Sequence, residues 1–256
     1  FDANQFLAWM RYGGGQAFYD ELVNDVLGVN CVGFLTGPMP TQPLGWFNEP
    51  VEGAEALSGL KYRTVGLSAD LFTAMGSAVT VMPGGEIVPA LQTGTLEAAE
   101  FNNMTSDRIL GFPDVSKVCM LQSFHQNAEQ FEIMFNKTKY DALPEKMRAI
   151  IANAVEAASA DMSWKAIDRY SKDYIELQTK DKVRFYKTPD AVLQTQLTAY
   201  DAAAAKKAAD NPLFKEIADS QRAFAERAVR WDLDTNVNRR MAYNHYFGAK
   251  PAAKKG

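Results

Sequence analysis

Cysteine and histidine are scarce in this 256-residue chain, with two of each. Cys31 and Cys119 cannot build a disulfide framework or a four-thiolate zinc site. Both fall in apolar stretches, so buried free thiols are expected. Two histidines, His125 and His245, leave little for imidazole chemistry. The sequence also lacks a Gly-x-Gly-x-x-Gly turn after a strand, a phosphate loop, a His-Glu-x-x-His pair and a Gly-x-Ser-x-Gly elbow. Catalysis is therefore not expected. No uninterrupted apolar run approaches the roughly 20 residues of a membrane-spanning helix. No block of one charge sign stands out: 27 Lys+Arg face 31 Asp+Glu, a formal net charge of −4. That balance argues against nucleic acid as the main partner. Residue 1 is Phe and no charged-then-apolar signal segment follows. The N-terminus is thus read as processed, trimmed or missing. The basic, low-complexity run Gly248–Gly256 reads as a frayed tail.

What is present is ordinary globular composition, 47% hydrophobic and 23% charged, enough for one large domain or two smaller ones. Phe6, Leu7, Trp9 and Met10 form one face of a helix that Gly13-Gly14-Gly15 breaks. A second helix carries Phe18, Leu22, Val23 and Val26 and ends at Gly28. Val29–Leu35 reads as a buried strand. In Gly37–Pro43 four of seven residues are Gly or Pro, which predicts a loop. The middle alternates: strands over 60–65, 78–82 and 96–101, with helices over 69–75 and 86–91. That spacing predicts βαβ units on a mainly parallel sheet. Strands over 119–124 and 130–135 follow. After Pro144, which suits a first helical turn, an apolar stripe from Met147 to Tyr174 predicts one unusually long helix. A strand over 183–186 and helices over 190–209 and 212–231 complete the pattern. The motifs Asn103-Met-Thr105 and Asn136-Lys-Thr138 match the glycosylation pattern, which is common by chance. Arg63 sits at a strand end, where an arginine either grips a carboxylate or makes a surface ion pair.

Several motifs carry a family likeness. Gly59-Leu-Lys-Tyr-Arg63, the run from Met82 to Phe101, and Asn136-Lys-Thr-Lys-Tyr-Asp-Ala-Leu-Pro144 resemble, in order, the substrate-binding proteins of TRAP transporters of the DctP type. The triple glycine, Gln42 and Gly45-Trp46-Phe47 are similar to the branch that binds 2-oxo acids, lactate and related acids. The resemblance implies an α/β, two-lobed periplasmic-binding-protein-like fold with mixed sheets, hinge strands and a long helix spanning both lobes. Residues 1–36 and 127–188 would form lobe I, incomplete because the family's first βα units are missing. Residues 37–126 would form lobe II, and 189–256 the C-terminal helices and tail.

By the same resemblance, Arg63 matches the arginine that salt-bridges the ligand carboxylate. In the oxo-acid branch a bound cation bridges protein and ligand. Gln42 matches its side-chain amide ligand. Phe101 matches the position offering a backbone carbonyl, where the branch usually has Trp. Gln126 stands where the branch has glutamate, and one carboxylate fewer weakens a site for Na⁺ or Ca²⁺. Gln42 and Gln126 are therefore expected to donate to the ligand rather than depend on metal. Asn102, His125 and Asn127 flank these positions as hydrogen-bonding candidates. The implied protein sits in the periplasm, captures a small organic acid anion, aliphatic or aromatic, and delivers it to TRAP permease membrane subunits. The C-terminal helix, with Leu213, Phe214, Ile217, Phe224, Ala228 and Trp231 along one stripe, is expected to mediate a homodimer. The alternative is an α/β enzyme acting on a carboxylate substrate.

Overall fold

The computed structural model describes residues 1–248; the expected tail beyond Gly248 lies outside the described residues. The chain runs α1 (Ala3–Tyr12), α2 (Gly15–Asp20), β1 (Cys31–Met39), β2 (Gly45–Phe47), β3 (Lys61–Arg63), α3 (Leu67–Ala74), β4 (Ala78–Thr80), α4 (Gly84–Gln92) and β5 (Ala98–Ala99). It continues through α5 (Met104–Leu110), α6 (Phe112–Val115), β6 (Val118–Leu121), β7 (Glu129–Asn136), α7 (Lys137–Asp141), α8 (Glu145–Thr179), β8 (Arg184–Lys187), α9 (Asp190–Asp210), α10 (Pro212–Thr235) and α11 (Arg239–Phe247). One π-helical turn, Glu21–Val26, extends α2.

These strands form two sheets. β1 and β7 pair antiparallel, and the other six lie in the order β4-β3-β5-β2-β6-β8. In the larger sheet β3 runs parallel to β4 and β5, and β6 to β8, while β2 is antiparallel to both its neighbours. Only β2 opposes the common direction, so the expected parallel character holds. Alternate residues serve opposite faces, as a pleated strand requires. Phe47, Ala98, Val118 and Met120 join Leu44, Tyr62 and Phe72 in one core. Trp46, Ala99 and Cys119 join Ile87, Phe112 and Leu177 in the other. A third cluster sets Trp9 and Met10 of α1 against Phe224 of α10. Cys31 and Cys119 are buried free thiols.

α8 links the sheets. Its 35 residues, at about 1.5 Å each, reach roughly 52 Å. Near its start the Val155 carbonyl accepts from Thr36 of β1, and Ser159 Oγ accepts from Gly37 N at 2.9 Å. Near its end Asp173 meets Arg108 and Thr105 of α5. The same helix touches both bodies.

Two features differ from the sequence reading, and a third explains a motif that it left to chance. The loop expected over Gly37–Pro43 begins later, because β1 continues through Gly37 and Pro38 to Met39. The register shifts between Thr36 and Met39; Gly37 takes φ +61 and turns its N–H to α8 instead of the ladder. A bulge at this point tolerates the missing N–H of Pro38. β8, counted with the first lobe from sequence, pairs with β6 in the larger sheet. Both glycosylation-like asparagines are helix caps. Asn103 accepts from the N–H groups of Thr105 and Ser106, and Asn136 from that of Lys139. Asn103 is also buried.

Candidate functional site

Besides the passage through α8, the chain crosses between the sheets by two short segments, 40–44 from β1 to β2 and 122–128 from β6 to β7. The crossings run side by side, and Gln42 N donates to the Gln126 carbonyl at 3.1 Å. Gln42 is 1% exposed. Its Nε2 donates to the Phe101 carbonyl at 2.8 Å and to Glu129 Oε1 at 2.9 Å. Its Oε1 is buried without a partner. Three positions matched to the cation site therefore meet here, Gln126 through its backbone, and Glu129 joins them. Glu129 opens β7, paired with Met39. Its Oε2 is buried without a partner, and burial pushes its carboxyl up to about 7 against the opposing hydrogen bond from Gln42. The strand pattern read from Gln130 onward hid this residue one position outside the element. Nothing in its sequence surroundings marks it out.

Arg63 ends β3 and is 5% exposed. Its Nη1 pairs with Glu100 Oε1 at 3.0 Å and donates to the Glu100 carbonyl at 2.9 Å. Nε and Nη2 both donate to the Met82 carbonyl, at 3.1 and 3.0 Å. The ion pair is thus buried rather than superficial. Four N–H groups are engaged, which leaves one of the guanidinium's five. Glu100 is fully buried, and burial lifts its carboxyl to about 7 although the Arg63 charge pulls the other way. The guanidinium also stands 5.9 Å from the Phe101 ring centroid, at the edge of cation–π range. That ring lies over Gly84, where a Cβ would come within 2.5 Å of it.

The flanking candidates are mostly engaged elsewhere. Asn102 N donates to Asp107 Oδ1 at 3.1 Å, and its side-chain oxygen accepts from Asn103. Asp107 also accepts from Trp46 Nε1 at 2.8 Å; burial raises its carboxyl to about 7. His125 Nδ1 lies 2.5 Å from Ser123 Oγ, its ring edge meets Phe72, and burial lowers it to about 3. Its Nε2 is buried and unpartnered. Asn127 Nδ2 donates to the Phe1 carbonyl at 2.8 Å. A separate groove of about 350 Å³ between α1, β1 and α8, lined by Arg11, Phe34, Ser159 and Trp164, contains none of these residues. That groove lies apart from the crossings.

Among the described residues no three His, Cys, Asp or Glu side chains converge on a metal position. The donors at the crossings are instead an amide, a backbone carbonyl and one carboxylate, all oxygen donors of the kind that hard cations take.

The sequence profile of the bacterial extracellular solute-binding proteins, family 7 (DctP), matches residues 1–211. A monocarboxylate 2-oxoacid-binding periplasmic protein of Nostoc is 24% identical over 232 residues, 90% of this chain. The chain spans 62% of the length of that curated relative. A TRAP periplasmic solute-binding protein of Colwellia psychrerythraea, solved with calcium and pyruvate, superposes with a TM-score of 0.85 at 25% identity, covering 96% of this chain and 73% of its own. One from Bordetella bronchiseptica, a mixed-occupancy dimer with calcium and picolinate, gives 0.85 and 25%, covering 96% and 71%. Among the described residues no helix is long and apolar enough to cross a membrane.

Proposed function

The chain belongs to the bacterial extracellular solute-binding proteins of family 7, and from that premise we propose that it captures a small organic acid anion in the periplasm and passes it to the membrane subunits of a TRAP transporter. The family is one of transport components rather than enzymes, and the role proposed is binding without turnover. The observation that carries the reading is Phe101, whose carbonyl is bound by Gln42 at the crossings while its ring stands 5.9 Å from the buried Arg63 guanidinium. A monocarboxylate with an oxygen or nitrogen beside it, such as a 2-oxo acid, suits this arrangement. The relatives that carry pyruvate or picolinate support that class.

Each residue has a physical task. Glu100 and the Met82 carbonyl fix the Arg63 guanidinium and leave it one free N–H for an incoming anion. Gln42 draws the two crossings together through its backbone N–H. The unpartnered Gln42 Oε1 fits a hard cation such as Na⁺ or Ca²⁺. Gln42 and the Phe101 carbonyl would hold that ion. When bound, it supplies positive charge that a carboxylate and its neighbouring oxygen chelate together. His125 brings an unpartnered Nε2 within the same crossing segment. Asn102, tied to Asn103 and Asp107, acts through its neighbours.

A second copy of the chain fits the C-terminal end. Ile217, Phe224 and Ala228 of the expected stripe pack on α1. Trp231, Leu233, Met241 and Phe247 stay largely exposed, and the dimer proposed forms through them.

Calorimetry with pyruvate, with and without calcium, tests the reading, with NMR of the recovered ligand. One-to-one binding with pyruvate unchanged is expected. A product signal, or no uptake of any monocarboxylate in a panel, overturns it.

A further inference from the structure

Gln42 points to more than one state of the crossings. Its nitrogen lies between two acceptors, the Phe101 carbonyl and Glu129 Oε1, while its oxygen is shut off from solvent with no donor. Glu129 is no better matched. Among the described residues no Lys or Arg pairs with it, and its second oxygen has no partner. A half-buried carboxylate without a cation is costly. The Gln42 NH₂ group supplies the only positive end of a dipole in contact with Glu129 among the described residues.

A side-chain amide has a donor end and an acceptor end of nearly equal shape. If the Gln42 amide turns over, Oε1 replaces Nε2 beside two other oxygens. Three oxygens facing one another repel unless a cation lies between them. We infer that Glu129 supplies the charged oxygen of this chain's cation site, in place of position 126, and that the Gln42 amide turns over when the cation enters. Gln126 then serves through its backbone carbonyl, which holds the Gln42 N–H in either state. The inference rests on the solute-binding reading but concerns the ion alone.

The test is a calcium titration of chelator-stripped protein, by calorimetry and thermal shift, with and without pyruvate. Glu129→Gln keeps an oxygen to accept from Gln42, so the fold is expected to survive. Removing the charge is expected to weaken calcium by about tenfold or more, whereas Gln126→Ala stays within about threefold, under 1 kcal/mol. Should Glu129→Gln fail to fold, Glu129→Asp keeps the charge and is expected to retain a calcium-dependent thermal shift that Glu129→Ala lacks. Calcium affinity of Glu129→Gln within threefold of the parent overturns the assignment, as does an equal loss in Gln126→Ala. So does a parent chain that takes up no calcium, alone or with pyruvate. Binding of calcium through Glu129 without binding of any organic acid upholds this assignment and sinks the transport reading; the reverse pattern does the opposite.

Discussion

Arg63 and Glu100 form a buried pair whose partners differ in what they can lose. Removing the guanidinium leaves the Glu100 carboxyl fully enclosed without its partner, so that it must bear a bare charge or take up a proton, and breaking such a pair typically costs about 3–5 kcal/mol. Arg63→Ala should show that loss in urea denaturation, whereas Arg63→Met combined with Glu100→Gln should recover most of it, since neither replacement leaves a bare charge. Recovery of stability without recovery of pyruvate affinity would separate the arginine's two tasks. A double variant as unstable as Arg63→Ala would show that the ion pair is not what the fold depends on. At this scale the sequence was partly legible. Arg63, Gln42 and Phe101 carried recognisable surroundings, because each lies in a motif. Glu100 and Glu129 did not stand out, because a carboxylate beside a strand looks the same whether it faces water or a buried guanidinium. Only the fold distinguishes them.

Long periodic elements were the most readable. The stripe from Met147 to Tyr174 announces α8 directly, because few alternatives suit so many apolar residues at helical spacing. β2, α5 and α6 escaped notice for the opposite reason. β2 has three residues, too few to show alternation, and α5 starts on a cap, Asn103, that also reads as a glycosylation signal. α8 carries a charge cluster that can be tested as a unit. Burial alone would raise the Asp173 carboxyl, but hydrogen bonds from Thr105 and Arg169 and the charges of Arg169 and Arg108 outweigh it and hold the group below the usual carboxylate range. A depressed folded-state pKa contributes stability that is present above the unfolded value and disappears as pH falls through the folded one. Asp173→Asn should therefore cost about 1.5–3 kcal/mol at neutral pH, the scale of hydrogen bonds to a charged group. The parent and variant should converge in stability as pH drops below about 4. A difference that persists unchanged in acid would assign the effect to packing instead.

On the scale of the molecule, the two-sheet plan and the spanning helix follow from the alternation of elements and the family motifs, while the allocation of β8 does not. A four-residue strand after a long helix gives no sign of which sheet it joins; its pairing with β6 is settled by where α8 ends. The C-terminal stripe was likewise ambiguous, because one helix can serve its own body and a partner along different lengths. Phe224 is 8% exposed and Trp231 68%, so the first part of the helix is buried on its own body and the later part is open to the proposed partner. Light scattering should find a dimer at micromolar concentration, and a chain ending at Thr235 with Trp231→Glu should be monomeric with an unchanged circular dichroism spectrum per residue. A parent chain that is already monomeric rejects the interface.

The hydrogen bond from Gln42 to Gln126 has a mechanical meaning. It ties both crossings at one point, so that point is the fulcrum for any rotation of one sheet against the other. A group bound beside a fulcrum travels little and exerts little torque. An ion held beside this bond, as proposed, would be suited to fixing the position of a ligand, while the leverage for drawing the two bodies together would fall to contacts with longer lever arms. α8, anchored on β1 at one end and on α5 at the other, limits how far that rotation runs.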